Sequence, residues 1–145
     1  MKKPMPAHKK IYVKLTLSSV PNEIMKVEGF LEELNEQLQL DDTSFNKVLI
    51  ATTEAVNNGI LHGNKRDPKK KVSLACETSN GLLLITVEDE GSGVNPAALP
   101  DPLAEENLLR ENGRGVFLMR SLMESVEFSR FPGGSRVIMK MTLPA

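Results

Sequence analysis

The sequence has no tryptophan, one tyrosine, one cysteine and two histidines. A single thiol, Cys76, excludes an intramolecular disulfide and any multi-cysteine zinc site. His8 and His62 lie far apart in the chain, which argues against a histidine-based metal centre. No apolar run approaches the roughly 20 residues that a membrane helix needs. Charge of one sign is lacking too. Lys and Arg number 18 against 19 Asp and Glu, a net charge of −1, so nothing global recruits nucleic acid or an anionic membrane.

What remains is an ordinary globular balance: 145 residues, 40% hydrophobic and 26% charged, enough for one domain with a real core. Residues 1–10 carry positive charge and two prolines around no apolar centre, and are expected to form a flexible basic tail rather than a secretory signal. Residues 11–145 are then a single domain, expected in the cytoplasm.

Strict alternation from Ile11 to Leu17 predicts a half-buried strand. Pro21 suits the first turn of a helix whose apolar positions are Ile24, Val27, Phe30, Leu31, Leu34 and Leu38. Asp41 or Asp42 supplies the N-cap of a second helix that ends at Gly63. Two alternating strands, Val72–Glu77 and Leu82–Glu88, are joined by Ser79-Asn80-Gly81, a strong hairpin signal. A Gly- and Pro-rich loop runs from Asp89 to Gly113, a length typical of binding loops and lids. A short helix and two strands, about Ser125–Phe131 and Ser135–Leu143, complete the chain. Paired strands between helices predict an α+β two-layer sandwich, a mixed, mostly antiparallel sheet with helices on one face.

Three segments can carry chemistry. Within the second helix, Glu54-Ala-Val-Asn57-Asn58-Gly59-Ile-Leu-His62-Gly63-Asn64 places two asparagines and a glycine where each costs roughly 0.5–1 kcal/mol relative to alanine. Glu54 and Asn58, four apart, share one face opposite the apolar stripe. A solvated polar face explains them; a covered site does so too, because Ile50 and Leu61 make that face partly apolar. Next, Leu83, Ile85, Val87 and Asp89 share one side of a strand, which delivers the Asp89 carboxylate to an apolar cleft floor or else to an ordinary acidic turn. A buried carboxylate needs a donor, and a purine amino group is one candidate. Gly91 and Gly93 let a ligand approach the backbone. Finally, Asn112-Gly113-Arg114-Gly115-Val116 opens a helix, where free N–H groups and Arg114 can hold an anion or simply form an entry turn.

No Walker-type phosphate loop is present, and Pro96 stands where the third glycine of a dinucleotide fingerprint belongs. The trio in this order resembles the ATP-binding boxes of the GHKL (Bergerat-fold) superfamily of gyrase, heat-shock chaperone ATPases, histidine kinases and MutL. Small size and the stretch from Pro100 to Met119 are most similar to bacterial anti-sigma-factor serine/threonine kinases. The resemblance implies ATP and Mg²⁺ as cofactors, with Asn58 on the metal and Asp89 on the adenine amino group. It implies nucleotide walls and a phosphate cradle from Gly91, Gly93, Gly113, Arg114, Gly115 and Val116, an adenine-side role for Ser135, and a lid at about 94–112. Val116 stands where leucine is common, and Ser135 where threonine is. Glu54 is implied as the general base that orients or deprotonates a partner's serine hydroxyl.

The implied function is an ATP-dependent serine protein kinase that phosphorylates an anti-sigma-factor antagonist and sequesters a sigma factor, with a homodimer also implied. The alternative is an ATP-binding interaction module without phosphotransfer. A histidine kinase catalytic domain fits poorly, since neither His8 nor His62 resembles a phosphoacceptor. The run Lys65, Arg66, Lys69, Lys70 and Lys71 reads as a solvated turn or as a contact for an acidic partner.

Overall fold

Alternating apolar residues build five strands. In the computed structural model these are β1 (Tyr12–Ser18), β2 (Lys71–Ser79), β3 (Leu82–Asp89), β4 (Ser125–Phe131) and β5 (Gly134–Thr142). The structure describes residues 10–91 and 111–144, and of 111–113 only the backbone. Residues 1–9 of the expected tail, Gly93, and positions 94–110 of the expected lid lie outside the described residues.

The sheet order is β1-β2-β3-β5-β4, and each adjacent pair runs antiparallel. The expected mixed sheet is therefore wholly antiparallel among the described strands. Register sets one face toward the helices: Leu17 stands opposite Val72, Leu74 opposite Val87, and Ile85 opposite Met139. All six are buried, and each such aliphatic side chain removed from water contributes roughly 1.5–3 kcal/mol. The β2–β3 hairpin turns at Asn80 and Gly81, both left-handed (φ 52° and 77°), as a two-residue turn matched to strand twist requires.

Pro21–Ile24 forms a 3₁₀ turn that leads into α1 (Met25–Leu38). Val27, Leu31, Leu34 and Leu38 recur at helical spacing on its buried side. Asp41 caps α2 (Asp42–Asn58), its side chain accepting from the Ser44 N–H at 2.7 Å. Beyond Asn58 the helix widens into a π-helical turn, Gly59–Gly63. The third helix, α3 (Glu111–Leu122), packs on α2. It begins two residues before Gly113, so Gly113 and Gly115 lie inside its opening turns. No described helix is long and apolar enough to cross a membrane.

The core lies between sheet and helices and takes in Cys76, whose thiol burial pushes up to about 12. The opposite sheet face carries Tyr12, Lys14, Thr86, Glu88 and Ile138, with an ion pair from Arg136 to Glu88 at 2.5 Å.

Candidate functional site

The π-helical turn brings backbone into contact where α2 meets the end of β3. A Cβ on Gly63 would stand 2.5 Å from the Asp89 carboxyl carbon, and one on Gly91 would overlap the Gly63 carbonyl. A glycine at each place is therefore what allows Asp89 to lie against the helix end. π-turns inside helices recur at functional sites.

Asp89 is the last residue of β3 and shares the inner face of Leu83, Ile85 and Val87. The Ser135 hydroxyl donates to both of its oxygens, each at 3.0 Å, and the Gly91 N–H donates to Oδ1 at 2.9 Å. Partial burial raises its pKa; the Gly91 and Ser135 bonds and the charge of Lys70 oppose that rise without cancelling it. The Asp89 carboxyl group is a hydrogen-bond acceptor at the floor of a cleft.

That cleft is a cavity of about 90 Å³. Asn58, Gly59, His62 and Gly63 wall it from the helix side, Val116 and Met119 from α3, and Phe128, Ser135 and Val137 from β4 and β5, with Val87 and Asp89 as floor. Most of this lining is apolar, with a carboxylate and a hydroxyl at one end, a combination suited to a flat heteroaromatic ring with an edge donor.

Glu54 and Asn58 occupy the α2 face that α3 covers. A Cβ on Gly115 would lie 3.0 Å from Glu54 Oε2 and 3.4 Å from both terminal atoms of Asn58. The missing side chain thus lets α3 approach while the two polar groups converge beside the cavity. Both are half-buried, which decides between a solvated polar face and a covered one in favour of the latter. Ile50, one turn before Glu54, remains 42% exposed.

The structure gathers Asn58, Asp89, Val116 and Ser135 around the cavity, with Glu54, Gly91 and Gly115 immediately beside them. Arg114 is exposed near the start of α3 and does not line it. Gly113 contributes backbone to the first helical turn, where N–H groups have no intrahelical acceptor. His62, Gly63, Phe128 and Met119 line the cavity although no site role was expected of them. His62 and Gly63 stood inside the unusual helix segment; Phe128 and Met119 carried only a strand and a helix periodicity.

No cluster of three or more His, Cys, Asp or Glu suited to a metal occurs among the described residues. The Asn58 carboxamide can supply one neutral oxygen at the cavity wall. That fits Mg²⁺, which keeps waters and phosphate oxygens as its main ligands.

A helix-layered antiparallel sheet with this cleft between α2, α3 and the end of β3 defines a GHKL-type ATP-binding domain. The histidine kinase-like ATPase domain family matches residues 17–141, and the chain belongs to that family. It is similar to an anti-sigma F factor of Clostridium perfringens, 30% identical over 119 residues that cover 80% of this chain and 82% of the relative. The RsbU and RsbW domains of Rv1364c from Mycobacterium tuberculosis share the fold at a TM-score of 0.68 and 18% identity, over 92% of this chain and 32% of that one. The catalytic domain of histidine kinase ThkA does so at 0.60 and 14% identity, over 92% and 96%.

Proposed function

We propose that the chain is a cytoplasmic ATP-dependent serine protein kinase and anti-sigma factor, which phosphorylates an anti-sigma-factor antagonist and sequesters a sigma factor. The observation that carries this reading is the convergence of Glu54 and Asn58 on Gly115, beside the cavity floored by Asp89. Similarity to anti-sigma F factors supports the choice of partners.

In this reading Asp89 accepts from the adenine amino group, while Val87, Val116, Met119 and Val137 exclude water from the ring. Asn58 would hold Mg²⁺ through its side-chain oxygen, and the ion, when bound, would offset the charge of the phosphates. The N–H groups around Gly113 and the Arg114 guanidinium stabilise phosphate oxygens. Glu54 takes the proton of a serine hydroxyl as its oxygen bonds to the γ-phosphorus, and the bond from that phosphorus to the bridging oxygen breaks to release ADP. Phosphoryl transfer is mostly positioning and charge neutralisation, so this small set suffices.

Incubation with labelled ATP, Mg²⁺ and a cognate antagonist should label a serine of the antagonist, and Glu54→Ala should abolish the label. Labelling unaffected by that substitution removes the role of Glu54. ATP-dependent capture of the partner with no phosphoserine by mass spectrometry would instead favour a binding module without transfer.

A further inference from the structure

Asn64 follows the π-helical turn and is 1% exposed, a burial at which an amide must have partners. Its Nδ2 donates to Ser19 Oγ at 2.7 Å and to the Lys71 carbonyl at 2.9 Å, and its Oδ1 accepts from the Glu90 N–H at 2.8 Å. Its own N–H closes the π-turn on the Gly59 carbonyl at 2.8 Å. One side chain therefore ties the ends of β1, β2 and β3 to the end of α2.

Two neighbours make this more than a structural fastener. Gly63, the preceding residue, lies against the Asp89 carboxylate, and Glu90, the residue Asn64 holds, follows Asp89 directly. Lys65 and Arg66, immediately after, adopt left-handed backbone (φ 52° and 60°), uncommon for side-chain-bearing residues and sustained only when surroundings over-determine it. The Arg66 N–H donates to the Ile60 carbonyl at 2.8 Å, so this turn is locked onto the π-turn as well.

We propose that Asn64 is the positioning residue of the base pocket: by holding Glu90 to the end of α2 it sets the Asp89 carboxylate, and with it the preference for a purine bearing a 6-amino group. The proposal rests on the reading of Asp89 as the adenine acceptor. Asn64 touches no ligand and acts through Asp89.

The test compares ATP with purine riboside triphosphate, which has hydrogen in place of the amino group, by calorimetry. Wild type should prefer ATP by about tenfold, the scale of one hydrogen bond to a charged acceptor. Asn64→Ala should bring that ratio close to one while leaving the analogue's affinity little changed. Ser19→Ala, which removes a partner of Asn64 but leaves the Glu90 bond, should lower Tm and keep the ratio. Asn64→Asp, which keeps an oxygen for the Glu90 N–H, should restore the ratio at reduced Tm. In the free protein, Asn64→Ala should also accelerate amide exchange at Glu90 and Gly91 relative to the β2–β3 ladder. Should Asn64→Ala fail to fold, Asn64→Ser carries the same comparison.

A folded Asn64→Ala protein with wild-type discrimination overturns the proposal, as does equal loss of discrimination in Ser19→Ala. If wild type does not discriminate, or Asp89→Asn binds ATP as wild type does, the base-recognition reading fails and takes this inference with it. If wild type discriminates, Asp89→Asn does not and Asn64→Ala does, only the role of Asn64 falls.

Discussion

Gly115 of α3 lies so close to Glu54 of α2 that a methyl group on it would stand 3.0 Å from the Glu54 carboxylate. Gly115→Ala should therefore separate stability from activity. Alanine favours a helix by about 1 kcal/mol over glycine, yet its methyl must push Glu54 or Asn58 aside. Tm is expected to hold or rise while phosphotransfer to the antagonist falls by about tenfold or more, since small misplacements of a reacting group are costly.

Gly63→Ala tests the contact at the other end of the cavity. Its methyl would meet the Asp89 carboxyl group at 2.5 Å, with the Gly91 segment packed behind. Overpacking of this kind costs about 1–3 kcal/mol. Denaturant unfolding should show that loss, and calorimetry should show ATP binding weakened along with it.

Asp89→Asn carries a pH signature. Because burial raises the folded pKa of Asp89, the folded chain holds this proton more tightly than the unfolded chain. Wild-type stability relative to the variant should thus fall as pH rises from the ordinary aspartate value of 3.8 through the raised folded one, then level off. ATP affinity of wild type should move oppositely, increasing over the same window as the carboxylate becomes a full acceptor. Thermal melts and calorimetry from acid to neutral pH read both. The variant should lack both trends and bind ATP about tenfold or more weakly.

Thr52 is fully buried in α2, and its hydroxyl has no hydrogen-bond partner among the described residues. Thr52→Val keeps the shape and removes the orphaned group. A gain of about 1 kcal/mol in unfolding free energy is expected, with nucleotide affinity unchanged.

Much of this architecture was legible in short-range pattern. Asp41 as a cap, Asn80-Gly81 as a hairpin and the alternation of Leu83, Ile85 and Val87 are local signals, and each element appears where its pattern predicts. Asp89 could be placed in the cleft because strand period alone decides which face it shares. Less was legible where tertiary contact decides. Asn64, whose N–H closes the π-turn, is held by Ser19, Lys71 and Glu90 at the ends of three strands, and no local propensity encodes that. Strands β2 and β3 run past their expected ends because pairing extends them: Ser79 lies opposite Leu82, and Val72 opposite Asp89. Met119 is a core residue and Phe128 packs partly buried against the core; that they also wall the cleft follows from how α3 meets β4. The place of Gly115 was legible, but not that its missing side chain opens space inside α3 for Glu54 and Asn58 of another helix.

The sealed thiol of Cys76 has a practical consequence for spectroscopy. A cysteine engineered at exposed Glu36 on α1 would meet maleimide dyes as the single reactive sulfur, with the native one protonated and out of reach. Fluorophores or spin probes could then report movement in this molecule without first rebuilding its interior.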